Sequence, residues 1–179
     1  MSTPIDPERV APRLPMHTCD DLLAKLHWDH EQLKQGWDSY RSFNFIITAN
    51  HLYKDWLDKV GTPLQQQRKG ELPSQAKRVF KILGDLANAS KHWDLDAKNQ
   101  RKQAVTGVSA PEIAGWFAYF VAGPVIYVEV DGARPSMPEL AAVTVRSLDW
   151  IVNSEDMLFP EELRTSIALV LRPLTGSSS

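Results

Sequence analysis

SQAKRVFKILGDLANASKHW, Ser74 to Trp93, is the stretch that decides the fold. At about 100° per residue, Val79, Ile82, Leu83, Leu86 and Trp93 fall in one apolar sector. Lys81, Asp85, Asn88 and His92 fall together almost opposite, because steps of three and four residues keep side chains on one face of a helix. Ser74 is placed to cap this helix. It ends near His92, since Asp94-Leu-Asp96 and the polar run Lys98–Gln103 lack an apolar period. One face therefore needs neighbouring helices to bury it, and the other is left for solvent or a ligand.

Upstream, Asp20 or Asp21 can cap a helix carrying Leu22, Leu26, Leu33 and Trp37 at helical spacing. Gly36 weakens it, and from Asp38 the pattern resumes until Gly61-Thr62-Pro63 stops it. The spacing leaves open whether residues 20–60 form one kinked helix or two. In the second half Phe43, Ile46, Asn50 and Leu57 form one stripe, and Phe45, Ala49, Leu52 and Trp56 another. A helix apolar on two sides belongs in the middle of a bundle. Between the stripes runs a polar strip of Asn44, Thr48, His51, Asp55 and Asp58. Residues 61–73 read as a polar connection without a core pattern.

After Gln103 the character changes. Val105, Trp116, Phe117, Tyr119, Phe120, Val121 and Val125–Val130 are rich in β-branched and aromatic residues, and Gly123-Pro124 and Asp131-Gly132 read as turns. Two or three short antiparallel strands are expected at about 104–131, inserted between the central helix and further helices starting at Pro138-Glu139 and Pro160. The expected fold is mainly α: an antiparallel helical bundle of four to five helices with a small inserted antiparallel sheet. It forms one domain over residues 19–172. Pro4, Pro7, Pro12 and Pro15 make residues 1–18 an extended arm, and residues 173–179 are a tail.

Composition narrows the function classes. The 179 residues are 43% hydrophobic and 23% charged, ordinary for a globular protein. A formal net charge of −2 gives no global basic field for nucleic acid, so any such site must be a local patch. The single cysteine, Cys19, excludes an internal disulfide and any multi-cysteine zinc site, and fits a reducing cytoplasm. Met1–Asp6 lacks the basic and apolar regions of a secretory signal. The apolar run Ala114–Val130 is broken by Gly123-Pro124 and is too short to span a membrane, so a soluble protein is expected.

Candidate chemistry lies on the polar strips. His51 with Asp55 is an i, i+4 pair in which a carboxylate can orient an imidazole. Asp85, Asn88 and His92 lie on the central helix. Were these strips to face each other, His51, Asp55, Asp85 and His92 would converge as a metal site or as acid–base groups. Solvated or hydrogen-bonded strips explain the same residues without chemistry, and no metal or cofactor is assigned. His27 and His30 have a metal-compatible spacing beside Asp29 and Glu31, which fits a solvated face equally well. Lys98, Arg101 and Lys102 form a small basic cluster suited to a phosphate. No His-Glu-x-x-His helix, phosphate-cradling Gly-rich loop or Gly-x-Ser-x-Gly elbow is present.

Two segments, Tyr40–Trp56 (YRSFNFIITANHLYKDW) and Asp85–His92 (DLANASKH), resemble the HEPN-like helical proteins, above all bacterial and phage members with an Ala-x-His-Leu helix followed by an Asn-x-x-Lys-His helix. The likeness spans residues 38–93, about a third of the chain. It implies an antiparallel helical bundle that pairs as a homodimer, in a family that often serves as a metal-independent RNase in toxin–antitoxin or phage-defence systems. His92 stands where the family histidine would, and Asn88 where the polar residue after the arginine usually stands. The catalytic arginine is missing: the allowed positions hold Asp85, Leu86 and Ala87, and Arg78 is too far away. No aspartate supplies the fixed positive fork that a phosphate needs. The resemblance thus implies a non-catalytic, homodimeric interaction module associated with defence or a toxin–antitoxin-type system, with RNA or a cognate protein as partner. Its alternative is a divergent metal-independent RNase in which His92 is acid or base, with Lys91, Asn88 or Lys81 in place of the arginine.

Overall fold

A computed structural model describes residues 16–36, 38–92, 104–109 and 125–174, the last three of 38–92 by backbone alone. Most of the N-terminal arm, Trp37, the basic cluster at 98–102, the Trp116–Val121 segment with the Gly123-Pro124 turn, and the end of the tail lie outside the described residues. The described residues form a mainly helical structure with a small two-stranded antiparallel sheet.

Helix α1 is Cys19–Gln35. Its cap is Thr18 rather than Asp20 or Asp21: the Thr18 hydroxyl accepts from Asp21 N, and the Asp21 carboxylate accepts from Thr18 N at 2.9 Å. This reciprocal box satisfies two donors at the helix start. Leu22, Leu23, Leu26 and Leu33 are buried along one face.

The second helical stretch is separate. Asp38 caps Ser39–His51, which runs unbroken into a π-helical turn, Leu52–Trp56, and a last α-helical turn, Leu57–Lys59. We call the whole α2. It packs between α1 and the central helix, as a helix apolar on two sides should.

The segment expected to be a structureless connection is a helix, α3, Pro63–Glu71, opened by a Thr62–Gln65 capping box. Hydrophobic periodicity misses it because the residues it buries are polar. Gln65 Nε2 donates to Val152 O and Arg68 Nη1 to Ile151 O, each at 3.2 Å. These carbonyls lie in the last turn of a later helix, where intrahelical partners run out.

The central helix, α4, spans Ser74–His92 and ends where the sequence predicts, but Ser74 is its first helical residue rather than its cap: Pro73 O accepts from Lys77 N at 2.9 Å. Ala76, Val79, Ile82, Leu83 and Ala87 are fully enclosed. Beyond it, β1 (Val105–Val108) pairs antiparallel with β2 (Val128–Val130), with Val105 opposite Val130 and Val108 opposite Val128. An irregularity in register falls between Val105 and Gly107. After β2 the chain reverses through Asp131 and Gly132, at φ 44° and 80°. Two positive φ values on an Asp-Gly pair are what a tight reversal of this hand needs, and Val130 and Ala133 close it with reciprocal backbone hydrogen bonds. Arg78 of α4 pairs with the Asp131 carboxylate and ties this turn to the central helix.

Helix α5, Met137–Asn153, starts from a Ser136–Glu139 capping box with Pro138 in its first turn. Leu140, Ala141, Leu148 and Ile151 are buried against α1, α2, α3 and α4. Helix α6, Glu161–Val170, packs on α4 and α5 through Leu163 and Ile167. Six helices are thus present among the described residues, against the four to five expected. The additional one is α3. No helix among them is long and apolar enough to cross a membrane.

Candidate functional site

The polar face of α4 meets α2 across a groove of about 290 Å3 lined by Asn50, Tyr53, Lys54, Lys77, Phe80, Lys81, Gly84, Asp85 and Asn88. Every wall residue comes from one of two helices, so the groove has the rigidity of the bundle. Part of the α2 wall is the π-helical turn. Such a turn holds an extra residue and rotates the following side chains about the axis, and it often marks functional positions. Tyr53 and Lys54 belong to this turn and line the groove.

The wall is braced by aromatic packing. Tyr53 stacks on Phe80 at 3.9 Å between centroids with the rings 4° from parallel, and Lys69 Nζ lies 4.8 Å from the Tyr53 centroid. Burial, and then the charge of Asp58, push the Tyr53 phenol above its ordinary pKa, so it remains a neutral hydroxyl near pH 7.

Three ammonium groups line the groove against one carboxylate. Lys54 is exposed and makes no hydrogen bond or ion pair among the described residues. Lys77 Nζ donates to Gly70 O at 2.7 Å, and Lys81 Nζ lies 3.3 Å from Asp85 Oδ2. Asp85 is largely committed to the fold. Its Oδ2 also accepts from Ala104 N at 2.6 Å and Val105 N at 3.4 Å, holding the entry to β1 against α4.

Asn50 sits at the floor. It is 8% exposed, its Oδ1 faces Gly84, and its carboxamide has no hydrogen bond among the described residues. Its amide atoms are not among the fully enclosed polar atoms left without a partner, so the carboxamide opens onto the groove, where a ligand can meet it.

The structure sorts the residues singled out from sequence. Asp85 and Asn88 line the groove, and His92 is the last residue of α4, one helical turn beyond Asn88. The side chains of Lys91 and His92 lie outside the description. His51 and Asp55 are paired with each other, Nδ1 to Oδ2 at 3.9 Å, each nearly half-exposed, and neither is among the lining residues. Of the remaining strip, Thr48 turns toward α1: its hydroxyl donates to Asp29 Oδ2 at 2.6 Å and accepts from Lys25 Nζ at 2.7 Å. Among the described residues no group of three or more His, Cys, Asp or Glu side chains could hold a metal.

The α1 histidines are occupied separately. His27 Nε2 lies 2.9 Å from Asp149 Oδ1 on α5, and the His30 ring packs on Phe45 with centroids 6.0 Å apart. Cys19 is buried, and burial followed by the charge of Asp20 pushes its thiol pKa up, the reverse of what activates a nucleophile.

Sequence reading missed Asn50, Lys54, Lys77 and Gly84. Asn50 read as part of an apolar stripe. Lys77 and Lys81, four apart on one face, were the available signal. Comparison with family models, curated proteins and solved structures gives no match.

Proposed function

We propose that the protein is a non-catalytic, HEPN-like interaction module that binds RNA through the groove between α2 and α4. The observation that carries this reading is the gathering of Lys54, Lys77 and Lys81 around one concave site on a chain whose formal net charge is −2. On an otherwise balanced surface, a local cluster of ammonium groups concentrates polyanions by releasing their counterions. Homodimerisation, a cytoplasmic setting, and association with bacterial defence or a toxin–antitoxin-type system belong to the same proposal, on the strength of the HEPN-like resemblance.

The second reading is a divergent metal-independent RNase centred on His92, with Lys91 or Lys81 facing the phosphate. It is favoured by one fact of placement: Asn88 lines the groove and His92 follows one turn later on the same helix.

One experiment separates the two. Purified wild type and His92→Ala are incubated with total and structured RNA, with and without EDTA, while binding is followed at two salt concentrations. The module reading expects intact RNA, unchanged binding by His92→Ala, and affinity that falls as salt rises, with a slope of about −2 for three phosphate contacts to a single strand. Chelator-insensitive cleavage that His92→Ala loses would establish the RNase instead. Absence of binding to any RNA would remove both.

A further inference from the structure

We infer that the groove takes a single unpaired nucleobase and reads its edge through Asn50, with adenine preferred. This deepens the RNA-binding reading and rests on it.

Lysines alone explain attraction to phosphate, but they do not explain the floor. A site that held only a sugar–phosphate backbone would place its cations at the surface and seal the helix interface beneath with apolar side chains. Here the α2–α4 contact is opened by Gly84, and opposite it stands Asn50, a residue more than nine-tenths buried whose carboxamide opens onto the groove with neither its donors nor its acceptor engaged among the described residues. A carboxamide offers one acceptor and two donors in a plane, the complement of a base edge with a neighbouring donor and acceptor. Adenine presents that pair at N6 and N7, which is why asparagine contacts it bidentately.

Size agrees. A volume of about 290 Å3 lies at the small end of ligand sites and suits one planar ring system rather than a duplex. Bases reach such pockets from single-stranded segments, where their edges are free. Lys54 and Lys77 are exposed beside the floor, in reach of the phosphates on either side of an inserted base. Stacking contributes little, because the Tyr53 ring is already engaged by Phe80 and Lys69. The discrimination therefore comes from edge hydrogen bonds and is lost when the carboxamide is removed.

The test is equilibrium binding of wild type and Asn50→Ala to short oligo-A, oligo-U and oligo-C RNA, and to an abasic oligomer of the same length, at fixed salt. Wild type is expected to bind oligo-A about fivefold or more tighter than the other three. Asn50→Ala is expected to bind all four alike, at the level of wild type with the abasic oligomer. Equal binding of all four by wild type would overturn the inference while leaving RNA binding intact, and this comparison needs no variant to fold. A preference for adenine that survives Asn50→Ala would overturn it as well. Failure of wild type to bind any of the four would instead remove the RNA-binding reading, and the inference with it.

Discussion

Asn50 and Gly84 face each other across the floor of the groove, so that a β-carbon at position 84 would stand 3.5 Å from Asn50 Oδ1. That is ordinary van der Waals contact, and position 84 lies within helix α4. Helix propensity and groove width therefore respond to substitution here in opposite ways. Gly84→Ala is expected to raise the thermal midpoint, since alanine is worth about 0.5–1 kcal/mol over glycine in a helix interior. Gly84→Leu fills the space above Asn50 and is expected to abolish base discrimination. Thermal melts run beside RNA titrations check both, and a loss of binding in Gly84→Leu that merely tracked unfolding would contradict the account.

Arg68 gives a sharper test of what holds the bundle. It is 1% exposed, donates once to Ile151 O, and leaves Nε and Nη2 without partners. A buried cation without a carboxylate is expensive to desolvate, and one hydrogen bond at a helix C-terminus offsets only part of that. Arg68→Met keeps the length of the side chain and removes the charge, so stability is expected to stay level or rise by up to a few kcal/mol. Arg68→Ala leaves a cavity and is expected to cost about 2–4 kcal/mol. Urea titrations measure the two, and a large loss for Arg68→Met would mean that the guanidinium is needed where it sits.

The interface between α1 and α2 depends on a different polar unit. Lys25 Nζ lies 2.6 Å from Asp29 Oδ2, Thr48 bridges them, and Asp29 is 2% exposed with Oδ1 unbonded. Removing Lys25 strands a buried carboxylate, so Lys25→Ala is expected to destabilise by roughly 3 kcal/mol or more despite its half-exposed side chain. Lys25→Met with Asp29→Leu removes both charges and should cost less than Lys25→Ala alone. A double-mutant cycle by chemical denaturation is the measurement, and additivity of the two sites would rule out the coupling.

These polar burials also explain what the sequence could and could not disclose. Helix α4 was legible to its ends, because Ser74 begins it, its apolar period is unbroken, and that period stops at His92. Helices α5 and α6 were legible from their prolines, and the Asp131-Gly132 reversal from its residue pair. Helix α3 was not, since Gln65 and Arg68 are buried by hydrogen bonds to carbonyls of α5, and no apolar stripe records that. Half of the groove was legible for the same reason that α4 was: Lys81, Asp85 and Asn88 share its polar face. The α2 half was hidden because Asn50 stands in the stripe Phe43, Ile46, Asn50 and Leu57 and read as packing. Asn50, Tyr53 and Lys54 are three and four residues apart and share one side of the helix, which the fold turns toward α4.

His30 carries the pH dependence that the fold itself predicts. Its ring packs on Phe45, and burial, followed by the charge of Lys34, lowers its pKa below the usual 6.5. The unfolded chain then binds a proton at a pH where the folded protein does not. Stability therefore rises with pH through the window between the folded value and about 6.5, and is lost as pH falls across it. The Phe45 ring, which is fully enclosed, is expected to loosen in the same window, because a charged imidazole is held against an apolar surface. His30→Gln, which does not titrate, should flatten the stability profile between pH 7 and pH 5 while leaving the midpoint at pH 8 nearly unchanged. Denaturation midpoints across this range decide the matter. A profile equally steep in His30→Gln would place the titrating group elsewhere.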